Sequence, residues 1–133
     1  MHDLGHVVVP NEPTAPVAHG EIGAAYVRTL LGDRVAQLTA LHVPAKRYLV
    51  ATDPAYARRL SDGSTVSLAM QGGAMTPVEV KAFEANPHGA DAANLRRADE
   101  AAKVIGRVVP NVDAWIPAIE AVAASARAIA SAE

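Results

Sequence analysis

The sequence contains no cysteine. Disulfides, zinc fingers and thiolate-held clusters are therefore excluded, and any metal must be held by histidine and carboxylate, a donor set that suits iron, manganese or zinc. Aromatic residues are scarce, with one Phe, one Trp and three Tyr. Together with abundant alanine, this favours close-packed helices over a β-sandwich. No apolar run approaches the ~18 residues of a membrane span, and no basic stretch precedes an apolar one at the N-terminus as in a signal peptide. The expectation is a cytoplasmic protein without a membrane partner. Nor is there an excess of one charge. The net charge is −2 and the charges are interspersed, so no basic patch suits nucleic acid and no acidic tail suggests a solvating role.

What is present suffices for a core. Half of the 133 residues are apolar, which fits one domain over residues 1–133 and argues against disorder. Residues His2 to Val9 read as the last turns of a helix or a short strand. Pro10, Pro13 and Pro16 make a loop. A helix from about Val17 to Leu31 follows, with Ile22, Ala25, Tyr26, Thr29 and Leu30 as its apolar stripe. Gly32-Asp33 ends it, and Arg34 to His42 forms the next. Pro44 sits at the first turn of a segment running to Val50, and Asp53-Pro54 caps a short helix reaching Leu60. Ser61 to Ser64 reads as a turn before a helix from Thr65 to Met70. Thr76-Pro77-Val78-Glu79 is a capping box with proline at N1, opening a helix to Glu84. Helices over about Ala90 to Val104 and Val112 to Ala130 complete an all-α reading, the last tolerating Pro117 only near its first turn.

The chemistry-bearing residues fall on these separate helices. His2 and Asp3 are adjacent, with His6 one turn on. His19 opens one helix, His42 ends another, and Asp99 lies in the most regular one, near Leu95, Ala98 and Ala102 in its pattern. Three histidines and two carboxylates on different helices are what a bundle core needs to hold one or two metal ions. A carboxylate next to a histidine can bridge two metals while the histidine ligates one. Against this, a single histidine is more often a surface or core residue than a ligand, and Asp99 can equally pair with Lys103 at i+4. His88, in a Pro/Gly loop, is read as structural. A second constellation is cationic. Lys46 and Arg47 follow His42 by a turn, and Arg96 and Lys103 flank Asp99 on one helix face. If Asp99 is a ligand, these cations suit an anionic, phosphate-like substrate; otherwise they form a solvated salt-bridge face.

Four blocks, His2-Asp3-Leu4-Gly5-His6, His19 to Ala24, His42 to Leu49 and Arg96 to Lys103, resemble the HD-domain superfamily. They are most similar to its oxygenase branch, the phosphonate-cleaving (PhnZ-like) enzymes and, more distantly, myo-inositol oxygenase. The stretches Ala45 to Tyr56 and Leu68 to Glu84 carry the same likeness, which extends to about Gly106. The resemblance implies an HD helical bundle with two irons of mixed valence. Asp3 would bridge the irons, His19 and His42 would complete one iron's ligands, and His2 and Asp99 would serve the other. Lys46, Ser64 and Arg96 match positions that hold the substrate's anionic group, with Ser61 and Ser67 close enough to compete for the role of Ser64. His6 and Lys103 match catalytic or substrate-facing positions. The implied reaction is oxygen-dependent cleavage of a carbon–phosphorus or carbon–carbon bond in a small anionic compound, with dioxygen as co-substrate.

One departure stands out. The sequence begins at the HD pair, so the family's upstream histidine is missing from it. The expectation is a bundle lacking its first helix or helices and one metal ligand, with apolar surface exposed and homo-oligomers favoured. Two alternatives are a metal-dependent HD phosphohydrolase, assayed with manganese, and a degenerate, non-catalytic HD protein.

Overall fold

The computed structural model describes residues 15–132, with side chains from residue 19 onward. Among these residues all regular structure is helical, as the scarcity of aromatics and the abundance of alanine imply. His2, Asp3, His6 and the expected helix or strand around them lie outside the described residues.

Helix α1 spans Ala15–Ala40 and is interrupted at Gly32, where φ is 81° and ψ is 176°. A straight helix would hold Gly20 and Ala40 about 30 Å apart, at 1.5 Å per residue. Instead, a Cβ on Gly20 would lie 3.3 Å from the Ala40 carbonyl oxygen. The element therefore turns back on itself at Gly32, giving the two antiparallel arms that the Gly32-Asp33 break predicts. Only glycine suits the turn. Its φ is left-handed, and a Cβ there would come within 2.8 Å of the Ala126 side chain.

The first arm buries a different face from the one its apolar stripe suggests. Ala24, Val27 and Leu31 are buried, whereas Tyr26 and Leu30 are half exposed. The small residues Gly20 and Ala24 allow the arms to approach closely. The buried face thus joins the large apolar Val27 and Leu31 to the small residues that permit close packing. Ala24, Val27, Leu31 and Ala36 form one apolar cluster, closed by Ala123.

Helix α2, His42–Thr52, begins where the sequence reading ends the previous helix, because Leu41 is a helical junction residue and Pro44 falls within the first turn. Its buried residues are His42, Ala45, Lys46 and Leu49, the i, i+3, i+4, i+7 spacing of one helix face. That face carries both core and chemistry. Asp53 caps α3, Pro54–Ala57, accepting from the Ala55 and Tyr56 amides at 3.0 and 2.9 Å. Helix α4 spans Asp62–Met70, so the expected turn at Ser61 to Ser64 is instead an N-cap position and a first helical turn. Acidic Asp62 suits the positive end of the helix dipole there.

The capping box at Thr76 is present and opens α5, Pro77–Glu84. The Thr76 amide donates to Glu79 Oε2 at 2.7 Å, while Arg47 donates to the other oxygen of Glu79 at 2.7 Å and to the Gly73 carbonyl at 2.9 Å. Arg47 therefore ties α2 to the start of α5 and does not join Lys46 in a cationic pocket. Replacing Thr76 with alanine removes one half of this box. The expected loss is ~1 kcal/mol, read as a lower denaturant midpoint with unchanged slope.

Helix α6, Gly89–Ala102, packs closely on α2, with Ala92 and Ala93 meeting Ala45 and Leu49 in the second core cluster beside Tyr56 and Phe83. The approach of α5 to α6 is closest at Gly89, where a Cβ would lie 2.5 Å from the Phe83 carbonyl oxygen. Backbone cannot yield there as a side chain tip can. Gly89→Ala is expected to destabilise by about 1–3 kcal/mol, the range for an overpacked core, measurable as a fall in melting temperature. Past α6, a 3₁₀ turn at Val112–Trp115 precedes α7, Ile116–Ala130, with Pro117 in its first turn as the sequence requires. Helix α7 packs on α1 and leaves Trp115, Ile116 and Ile129 substantially exposed. None of the described helices is long and apolar enough to cross a membrane.

Candidate functional site

Because α1 folds back at Gly32, His19 near its start meets His42 at the start of α2. Their ring centroids are 6.2 Å apart and the planes lie at 67°. The residues are 4% and 8% exposed, so the surface reading of these two histidines is excluded. One turn past His42 on the same face, Lys46 is also buried. Its ammonium donates to Ser67 Oγ at 2.7 Å, and Ser67 Oγ donates in turn to the Ser64 carbonyl at 3.2 Å. A buried ammonium requires such partners, since burial without them is costly.

The second cluster joins α4 to α6. Arg96 is 2% exposed, the largest of the fully buried side chains, while Leu95 beside it is 41% exposed. The inward face of α6 is thus apolar at Ala92 and Ala93 and charged at Arg96 and Glu100, while Leu95 points outward. Arg96 Nη2 donates to Glu100 Oε2 at 2.6 Å and to Ser64 Oγ at 3.0 Å. Its Nη1 pairs with Asp99. Ser64 Oγ donates to Glu100 Oε2 at 2.9 Å, and Lys103 Nζ donates to Ser64 Oγ at 2.9 Å and to Glu100 Oε2 at 3.0 Å. The second oxygen of Glu100 accepts from the Ser61 amide at 2.6 Å.

Burial pushes the Glu100 carboxyl up, but the Ser61 amide, Lys103 and the Ser61 and Ser64 hydroxyls outweigh it and bring the pKa down to about 2. Glu100 is therefore ionised at any ordinary pH. Beside the cluster, burial raises the Tyr56 phenol above its usual range, with the Arg96 guanidinium opposing.

The structure thus brings Ser64, Arg96, Asp99 and Lys103 together, and it selects Ser64 over its neighbours as the serine against Arg96. Lys46 reaches the same segment through Ser67. Asp99 faces cations, with Lys103 Nζ 3.3 Å from its carboxylate in addition to Arg96, so the pairing offered as an alternative in the sequence is present. Glu100 is the residue the sequence reading misses. Its signal is the i+4 spacing from Arg96, which is also what a solvated surface pair would show.

Among the described residues no group of three or more histidines and carboxylates is gathered to hold a metal ion. What they do supply is two buried imidazoles from separate elements, a nitrogen-donor pair without thiolate. That chemistry fits part of a site for a borderline metal such as iron. Of the other ligands expected from the sequence, Asp3 and His2 lie outside the described residues, and Asp99 pairs with Arg96 and Lys103.

No family model matches the chain. Among curated proteins, it is 37% identical over 126 residues to a hydroxymethylphosphonate dioxygenase of Gimesia maris, a match that covers 90% of this chain and 63% of that protein. It is 34% identical over 125 residues to a 1-hydroxy-2-(trimethylamino)ethylphosphonate dioxygenase (glycine-betaine-forming) of Leisingera caerulea, covering 90% of the chain and 64% of that protein. An uncharacterised protein of Acanthamoeba polyphaga mimivirus matches at 30% over 120 residues. The likeness runs further than the stretch up to Gly106 that the sequence blocks suggest. The chain is thus similar over nine tenths of its length to two phosphonate dioxygenases, and it spans less than two thirds of the length of either.

Proposed function

We propose that this protein is an HD-type, non-haem diiron oxygenase that cleaves the carbon–phosphorus bond of a small hydroxylated phosphonate. The observation that carries the reading is the joint burial of a histidine pair and a cationic cluster on the shared elements α1, α2, α4 and α6. A metal-ligating pair alone would suit many metalloproteins, and a cationic cluster alone would suit any anion site. Together with the similarity to two phosphonate dioxygenases, they support one reaction class.

His19 and His42 would hold one iron. Asp3 would bridge it to a second, held by His2 and Asp99. When bound, the irons supply dioxygen activation and a template for the substrate. The chain's own residues account for recognition. Lys46, Ser64, Arg96 and Lys103 provide charge-assisted and hydroxyl donors for the phosphonate oxygens. The buried setting of Lys46, Ser64 and Arg96 strengthens their bonds relative to water. His6 would face the substrate's reacting end. For hydroxymethylphosphonate the reaction balances with dioxygen alone. The carbon is oxidised to formate, phosphorus leaves as phosphate, and one proton is released for each dioxygen reduced.

Iron-loaded protein is expected to consume oxygen and release inorganic phosphate from hydroxymethylphosphonate in a one-to-one ratio. Treatment with a strong chelator should abolish both, and ferrous iron should restore them. Manganese-dependent phosphoester hydrolysis without oxygen uptake would defeat this reading in favour of the phosphohydrolase. Soluble, folded protein that binds no metal would favour a non-catalytic HD protein.

A further inference from the structure

Glu100 lies at the centre of the proposed anion pocket. Each of its oxygens is engaged, one by the Ser61 amide and the other by Ser64 Oγ, Arg96 Nη2 and Lys103 Nζ. Three of the four groups that would recognise a phosphonate therefore share a single carboxylate oxygen. That carboxylate is tied to the N-cap of α4 by the Ser61 amide, so it is fixed on both elements. A side chain merely passing a salt bridge at the surface would not be buried, nor would it collect a hydroxyl, a guanidinium and an ammonium at once. Resting on the phosphonate-oxygenase reading above, we propose that Glu100 is the positioning residue of the anion pocket: its carboxylate holds Ser64, Arg96 and Lys103 in one fixed fan, so that the substrate meets preorganised donors.

The physical reason is entropic as much as electrostatic. Arginine and lysine lose considerable rotamer freedom when ordered. If an internal acceptor has already ordered them, a ligand need not supply that ordering from its own binding. Neutralising the acceptor reverses this. A glutamine at position 100 retains one oxygen for the Ser61 amide but presents an NH₂ group to three donors. Aspartate keeps the charge on a stem one methylene shorter.

The test uses the full chain and methylphosphonate as probe, with wild type, Glu100→Gln and Glu100→Asp compared by titration calorimetry. Nitrogen-15 spectra of the Arg96 guanidinium are recorded alongside. Glu100→Gln is expected to weaken methylphosphonate binding at least tenfold and to average the Arg96 Nη signals. Glu100→Asp is expected to recover part of both. A variant that merely loses stability would shift the melting temperature without separating glutamine from aspartate in these readouts. Unchanged or tighter binding by Glu100→Gln overturns the positioning role alone, and tighter binding would identify Glu100 as a competitor for the pocket. No methylphosphonate binding by wild type, with the Arg96 signals ordered, overturns the phosphonate reading together with this one.

Discussion

Replacing Arg96 with alanine is expected to destabilise the fold by about 3–5 kcal/mol, the cost of removing one partner from a buried ion pair. Two carboxylates, Asp99 and Glu100, share this guanidinium. Without it both carboxylates lose a shared cation, and Lys103 remains paired with each of them. Ser64 also loses its buried donor. Arg96→Lys should recover only part of the loss, because an ammonium is a point charge and cannot serve two carboxylates and a hydroxyl with a planar fork. Chemical denaturation with fitted slopes measures both variants. A loss below ~1 kcal/mol for the alanine variant would mean that the cluster behaves as a surface network.

The second large effect concerns the histidine pair. On the proposed diiron reading, His42→Ala, and independently His19→Ala, is expected to lower iron affinity by at least about 100-fold. Even outer-shell changes around metal ligands cost about 10–100-fold, and a ligand itself costs no less. Oxygen uptake should fall to background in both variants. Metal analysis after gel filtration reads the effect directly. Full iron retention by either variant would place the metal elsewhere. Double substitution should add little to either single one, since the first loss already empties the site.

The all-α architecture was legible because helix start and stop signals are local. Asp53 and Thr76 with Glu79 bond neighbouring amides, and Pro44 and Pro117, lacking an N–H, fit only a first helical turn, so spacing along the chain is enough to identify them. The break at Gly32 was legible for the same reason. Which faces are buried was not. On α1 two apolar stripes compete, and the one through Gly20, Ala24, Val27 and Leu31 is buried because its small residues let the two arms meet at backbone distance. On α6 the pattern around Leu95 points outward while Arg96 and Glu100 point in. Periodicity weights side chains by hydrophobicity, and a buried charged network contradicts that weighting. The start of α4 differs from the expected turn because Ser-Asp-Gly-Ser serves equally as a turn and as a cap with its first helical turn.

Of the candidate site, His19, His42, Lys46, Arg96, Asp99 and Lys103 lie in the blocks that carry the resemblance, and Ser64 lies outside them. His19, His42, Lys46, Ser64, Arg96, Asp99 and Lys103 were all named from the sequence, and the fold gathers the last four into one cluster with Lys46 one serine removed. Glu100 was not named, because only tertiary structure shows the Ser61 amide and the Ser64 hydroxyl converging on it from α4. Arg47 and Lys46 are adjacent in the sequence, yet neighbouring residues on a helix point about 100° apart, and Arg47 turns to Glu79 instead.

The most direct test of the central claim is the fate of oxygen-18. Iron-loaded protein is given hydroxymethylphosphonate under ¹⁸O₂ in ordinary water, and the phosphate and formate are analysed by mass. The oxygenase reading predicts label from dioxygen in the products, with one phosphate formed per oxygen consumed. Phosphate that carries oxygen from water alone, formed at the same rate without dioxygen, would contradict it.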